Sequence, residues 1–364
     1  MLRRTIALLG IAAAAALALS ACTPVATTTT VKASATTVSK GQSVTLTASI
    51  GPTAAATAGG TVTFTDGTTT LGTKTVSGGK ATLTTKALKP GTRSVVARFT
   101  PSTAAYKTST GSVTVKVQQF HLALGDSLAA GVGAASGQGY VPVITSGETA
   151  RHPGLTLQNI SCSGATTASM LTGGGCSYAQ GTQLAAAEAF LLAHPGSVSF
   201  ITIDIGANDI TPCVTSSGTD ATCAAARIPT IQANLATILQ RLHTAAPGVP
   251  VVGMTYYNPF LAFWVFGNEA GATSSNAGAV SFNDALEATY AANTAGVAPV
   301  EEAFDSSNFA LTGTWNGTTV PQNVANICSW TRMCTNTDIH ANATGHAKIA
   351  AAFLPVIDAV LPAG

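Results

Sequence analysis

The serine with the clearest chemical setting is Ser127, in His121-Leu122-Ala123-Leu124-Gly125-Asp126-Ser127-Leu128-Ala129. Three apolar positions run into a Gly-Asp-Ser step followed by small residues. The pattern predicts a buried strand ending in a tight turn that holds a hydroxyl at the strand's carboxyl end, where open α/β sheets build their sites. A serine so placed serves as a nucleophile only if the chain also supplies a base, a group that orients the base, and donors for a developing oxyanion. His340, in Asp338-Ile339-His340-Ala341-Asn342, is the candidate base, and Asp338 is its nearest carboxylate. Gly164, in Asn159-Ile160-Ser161-Cys162-Ser163-Gly164, offers a backbone N–H. Asn208, in Gly206-Ala207-Asn208-Asp209, offers a side-chain amide. The residue two past Ser127 is Ala129, which excludes a G-x-S-x-G elbow.

The elements needed to position these residues are visible as alternating strand and helix patterns. After the opening strand come a short apolar strand (Leu155 to Ile160), a helix (Thr182 to His194) and a strand (Val198 to Ile205). Ile231, Leu235, Ile238, Leu239 and Leu242 share one helical face. Val249 to Met254 is another buried strand, and Thr344 to Leu354 a last helix that Pro355 is expected to stop or kink. This alternation predicts a parallel sheet with helices on both faces. Ser127, Gly164 and Asn208 then follow three of its strands, and His340 precedes the last helix.

Serine, glycine, asparagine and histidine in this order resemble the SGNH (GDSL-type) hydrolase superfamily, over residues 119 to 362. The resemblance implies a flavodoxin-like parallel sheet flanked by helices. It implies Ser127 as nucleophile and His340 as general base. It also implies an oxyanion hole from the backbone N–H groups of Ser127 and Gly164 and the amide of Asn208. The family places its acid three residues before the histidine; here that position is Thr337, and Asp338 stands two before. Either a re-registered loop lets Asp338 reach His340, or a backbone carbonyl orients the imidazole in a Ser–His dyad. The implied activity is hydrolysis of carboxylic esters, lipid-like or acyl, through an acyl-enzyme. The alternatives are a carbohydrate acetylesterase and a non-catalytic surface adhesion protein. No metal or organic cofactor is expected, and a monomer is.

Upstream, Met1-Leu2-Arg3-Arg4, an apolar run from Thr5 to Leu19 and Ser20-Ala21-Cys22 have the order of a signal peptide. Leu19-Ser20-Ala21-Cys22 looks like a bacterial lipobox, so export is expected, with lipid anchoring to the membrane through Cys22. Residues 23–31 read as a Pro/Thr/Ala tether. From 32 to 118 short strands recur without a helical pattern, as in the alternation Val44, Leu46, Ala48, Ile50. Gly60-Thr61-Val62-Thr63-Phe64-Thr65-Asp66-Gly67 and Gly79-Lys80-Ala81-Thr82-Leu83 resemble bacterial Ig-like domains, implying a small all-β sandwich that serves as a spacer.

Charged residues make up 9% of the chain and the net charge is +2, which argues against a nucleic-acid partner. Apart from Cys22, the cysteines fall into three close couples, and the simplest pairing is Cys162–Cys176, Cys213–Cys223 and Cys328–Cys334. None of the couples has C-x-x-C spacing and no histidine pair accompanies them, so a metal site is not expected. His346 is expected on a helix surface, and Asp126 and Asp209 as turn formers. Tyr256-Tyr257-Asn258-Pro259-Phe260 either lines a cleft or packs in the core, and Phe263, Trp264 and Phe266 are expected as a flap over an acyl chain.

Overall fold

The computed structural model describes residues 23–361. The expected signal peptide and the expected lipidation site, Cys22, lie outside the described residues. The chain divides into two compact units.

The first unit, built on Leu46–Leu83 and Val95–Val113, is β-rich. Gly60–Asp66 pairs antiparallel with both Thr69–Thr75 and Gly91–Pro101. Thr28–Ala33, Val44–Gly51 and Lys80–Thr85 form a three-stranded sheet. The period-2 pattern buries Leu46, Ala48, Val62, Phe64, Val95, Ala97 and Phe99 completely. Thr28–Ala33 forms a strand that begins within the stretch expected as a tether, since its run of β-branched residues favours extended backbone. A six-residue helix, Thr53–Ala58, interrupts the strands where alanine dominates.

In the second unit the parallel strands are β1 (Ser109–Gly125), β2 (Leu155–Asn159), β3 (Val198–Asp204), β4 (Val251–Met254) and β5 (Gly296–Ala298). Their spatial order is 2-1-3-4-5, every pairing parallel, the flavodoxin-like order that the resemblance implied. Of β1, residues 114–125 belong to this unit. The helices include α1 (Tyr140–Glu148), α2 (Thr167–Thr172), α3 (Gln183–Ala193), α4 (Ala207–Ile210), α5 (Ala221–Ala245), α6 (Glu269–Ala292), α7 (Gln322–Trp330) and α8 (Ala343–Val360). They pack in two groups, α1 with α8, and α3, α5 and α6 in succession. Leu122, Leu124, Phe200, Ile201, Ile203, Val252, Leu235, Leu286 and Phe353 fill the core. Pro355 neither stops nor ends α8, which runs on to Val360. Its ring lies on the exposed face, as does Ala351 one turn earlier, whose carbonyl can be hydrated, while Phe353 and Ile357 stay buried.

His121 is fully buried in β1. Thr145 gives its hydroxyl proton to the Val141 carbonyl, so its Oγ1 accepts from His121 Nδ1–H at 2.8 Å. Nε2 then accepts from Thr202 Oγ1, also at 2.8 Å. Burial holds this neutral imidazole at a pKa of about 3, against 6.5 in an open chain. Between those values the unfolded chain binds more protons than the native one, so stability falls as pH falls, by up to ~1.4 kcal/mol per pH unit. Denaturant melts stepped through this window should show that slope. It should flatten in His121→Gln, and an unchanged slope in the variant would reject the assignment.

Candidate active site

Gly125 ends β1 with φ +142°, opposite Asp204 of β3. A Cβ there would run into the Asp204 carboxyl group and backbone, so the close approach of the two strands requires glycine. Gln183, at the start of α3, clamps the same residue. Its Oε1 accepts the Gly125 N–H at 2.7 Å and its Nε2 donates to the Gly125 carbonyl at 3.0 Å. Beyond this anchored residue the chain turns. Ala130, Gly131 and Val132 N–H groups donate to the carbonyls of Asp126, Leu128 and Ser127. Asp126 Oδ1 accepts from Leu128 N–H at 2.9 Å, Asp204 Oδ2 from Ala129 N–H at 3.1 Å, and Asn159 Nδ2 donates to the Ala129 carbonyl at 2.7 Å. Ser127 is thereby held in a turn fixed from three strands.

Gly164 lies in the loop after β2, with φ +80° and open space where a Cβ would sit. The disulfide Cys162–Cys176 ties that loop, and the Cys162 N–H donates to the Gly125 carbonyl at 2.9 Å. Asn208, in α4 after β3, donates from Nδ2 to the Ala165 carbonyl at 2.9 Å, which leaves its second N–H free of that bond. Asp209 fastens the two loops together, accepting from Thr167 N–H at 2.8 Å and Thr167 Oγ1 at 2.7 Å at the start of α2. Burial raises the Asp209 pKa, against the lowering effect of these bonds. The other two disulfides are Cys213–Cys223 and Cys328–Cys334, the pairing read from their spacing.

His340 sits on β7 (Asp338–Ala341), which pairs antiparallel with β6 (Thr331–Arg332). The register pairs Thr331 with Ala341 but Arg332 with Asp338, so Ile339 and His340 bulge out of the ladder. Residues two apart on a strand share a side, and here the Asp338 and His340 side chains meet: Nδ1 to Oδ1 is 2.5 Å. The Arg332 Nε lies 3.2 Å from Asp338 Oδ2. Burial works against the Asp338 charge, but the His340 hydrogen bonds and Arg332 outweigh it and hold the carboxyl below its usual pKa. Tyr257 fixes the bulge by donating to the Ile339 carbonyl at 2.8 Å.

Ser127, Asn208 and His340 line one cavity of about 90 Å³. Gly164 is not in its lining. Ile210, Val214, Phe260 and Phe282 give the cavity apolar walls, and Tyr256, Tyr257, Asn258 and Pro259 also face it. The expected flap does not: Phe263, Trp264 and Phe266 are absent from the lining. Trp264 instead packs on Phe309, at 6.1 Å between ring centres, and Phe266 is half exposed at 50%. The short helix Pro259–Trp264 turns these residues away after Phe260. His346 is also not on the surface. It is fully buried, with Nδ1 accepting from Tyr140 N–H at 3.2 Å and Nε2–H donating to the Val132 carbonyl at 3.0 Å. Burial lowers its pKa. It joins α8 to the segment after the Ser127 turn.

Sequence reasoning passed over Gln183, Tyr140 and Asp204. For Asp204 a signal existed, since it is the lone acid in the buried strand Val-Ser-Phe-Ile-Thr-Ile-Asp. For Gln183 and Tyr140 there was none, because their partners are distant in sequence.

The GDSL-like lipase/acylhydrolase family model matches residues 123–348, and the bacterial Ig-like domain (group 3) model matches 28–118. No curated protein matches the chain in sequence. Among solved structures, TesA is 18% identical with a TM-score of 0.41, over 67% of this chain and 100% of that one. The psychrotrophic esterase EstA from Pseudoalteromonas sp. is 18% identical with a TM-score of 0.40, over 66% of this chain and 98% of that one. AlinE4, an SGNH-hydrolase family esterase, is 19% identical with a TM-score of 0.33, over 50% of this chain and 75% of that one. With the family model covering the end of β1, strands β2 to β5, the Ser127 turn and His340, the chain belongs to the GDSL-like lipase/acylhydrolase family and carries a bacterial Ig-like domain before its hydrolase domain.

Proposed function

We propose that the protein is an exported serine esterase that cleaves carboxylic esters through an acyl-enzyme. The observation that carries this reading is the meeting of Asp338 with the bulged His340, with His340 and Ser127 lining the same apolar-walled cavity. Ser127 Oγ attacks the ester carbonyl while its proton passes to His340 Nε2, forming the C–O bond of a tetrahedral oxyanion. His340 then gives that proton to the departing alcohol oxygen as the ester C–O bond breaks. Water repeats the two steps on the acyl-serine and releases the acid. The Ser127 and Gly164 N–H groups and the Asn208 amide act as oxyanion donors, and Ile210, Val214, Phe260 and Phe282 receive the apolar acyl part.

A fluorophosphonate should form one covalent adduct, on Ser127 by peptide mass spectrometry, in parallel with loss of p-nitrophenyl ester hydrolysis. Hydrolysis that survives complete labelling, or label elsewhere, would overturn the reading. Across p-nitrophenyl esters of increasing length the optimum should lie beyond acetate; an acetate optimum would favour an acetylesterase. Asn208→Ala should lower kcat about 10²–10³-fold, equivalent to roughly 3–4 kcal/mol, with KM little changed, because the oxyanion exists only after attack. A loss confined to KM would remove Asn208 from that role.

The proposed location is the membrane surface, through a lipid on Cys22, on the strength of the leader's Leu-Ser-Ala-Cys ending. Cys22→Ala should move the protein from the membrane fraction to the soluble one, and a variant that stays on the membrane would reject the anchor.

A further inference from the structure

Directly behind Ser127 lie two buried carboxyl groups, Asp126 at 2% exposure and Asp204 at 0%. Asp204 packs against Gly125, the residue before Asp126, so two bare carboxylates there would repel with no water to screen them, and at least one proton is held by the pair. Four further donors converge on the pair. Leu128 N–H and Tyr256 O–H donate to Asp126, at 2.9 and 3.2 Å, and Ala129 N–H and Tyr140 O–H donate to Asp204, both at 3.1 Å. Two backbone N–H groups and two buried phenols aimed at the same four oxygens fit a group that keeps a negative charge. The other ionisable groups facing the two carboxyls are Tyr257, Tyr290 and His340. Those facing His340 are Asp338, with Arg332 behind it, Asp126 and His346.

We propose that Asp126 and Asp204 hold one proton and one negative charge between them, the proton on Asp204, as a positioning pair that pins the Ser127 turn and opposes the charge forming on His340. The inference rests on reading Ser127 and His340 as nucleophile and base. The turn residues that follow Ser127 are the ones the pair grips, Leu128 through Asp126 and Ala129 through Asp204. When the serine proton moves to His340, the imidazolium then faces two anions, Asp338 at its Nδ1 and the pair behind the nucleophile. The direction of the pKa shifts agrees: burial raises both carboxyls, and the charge on Asp126 drives Asp204 further up. Like-charged neighbours in so dry a place cannot both ionise.

Two variants test this in the full-length protein. Asp204→Asn keeps an oxygen acceptor and supplies an N–H that can replace the shared proton toward Asp126. It should leave the acid limb of the kcat/KM profile on a p-nitrophenyl ester where it is. Asp126→Asn/Asp204→Asn removes the remaining charge and should move that limb to lower pH by about half a unit or more, because the imidazolium loses an opposite charge. In the infrared at neutral pH, Asp204→Asn should lose one protonated-carboxyl band and no carboxylate band. A limb already displaced in Asp204→Asn, or a lost carboxylate band, would mean that both groups are ionised and would overturn the proposal. An unmoved limb in the double variant would overturn it too. If the double variant does not fold, the single variant's limb and infrared difference decide alone. The infrared reading needs no turnover, so it separates failure of the pair from failure of the esterase reading, which an inactive wild-type protein would signal.

Discussion

Ser127→Ala should abolish ester hydrolysis, lowering kcat about 10⁶-fold, while leaving the fold and the cavity intact. Losses of this size arise when a nucleophile and its base act as one unit, and the expectation depends on how little the serine side chain does structurally. The hydrogen bonds that shape the turn run through the backbone of residues 125–132 and through the side chains of Gln183, Asp126, Asp204 and Asn159. None of these uses Ser127 Oγ. Alanine keeps the Ser127 N–H that the oxyanion would need, so substrate should still bind with a similar KM and the melting temperature should stay close to wild type. Kinetics on p-nitrophenyl esters with a melting curve beside them check both halves. A variant keeping more than about a tenth of wild-type kcat would show that Ser127 is not the nucleophile.

The sheet was legible because its strands are apolar runs of the right length between turn residues, and because the Val198 strand and the Ile231 helical face bury what their periods say they bury. Ser127, Asn208 and His340 stood out because each follows or precedes such an element. Three things were not legible, for distinct reasons. The apolar triplet Phe263, Trp264 and Phe266 has the composition of a flap, but composition does not fix direction, and the tight helix from Pro259 turns it from the cavity. His346 looks like a polar helix position, yet its two ring nitrogens are satisfied by Tyr140 and Val132, partners more than 200 residues upstream. Pro355 reads as a helix stop or kink, and it is not a stop, because a missing N–H is tolerated where the orphaned carbonyl lies on the exposed face.

The partner of His340 is the case where sequence left two answers open, and here substitution should separate them sharply. Asp338→Asn should lower kcat about 10⁴-fold. In the wild-type protein Asp338 Oδ1 faces Nδ1–H of His340, leaving Nε2 unprotonated and able to take the serine proton. Asp338 Oδ2 faces the Arg332 guanidinium at 3.2 Å. The His340 backbone N–H also donates to Asp338 Oδ1, at 3.2 Å, so an asparagine in this position has one oxygen for three donors. Arg332 is always charged and has no acceptor atom, so it draws the amide oxygen to itself and turns the amide NH₂ toward Nδ1. That arrangement forces the proton onto Nε2, the tautomer that cannot act as base, and it also removes the carboxylate that steadies the imidazolium. The same reasoning sets the sign of a second-site effect: Arg332→Ala added to Asp338→Asn frees the amide oxygen to face Nδ1–H and should recover part of the lost kcat, although Arg332→Ala alone should lower it. A loss below about tenfold in Asp338→Asn would instead leave a backbone carbonyl as the orienting group and make the site a Ser–His dyad.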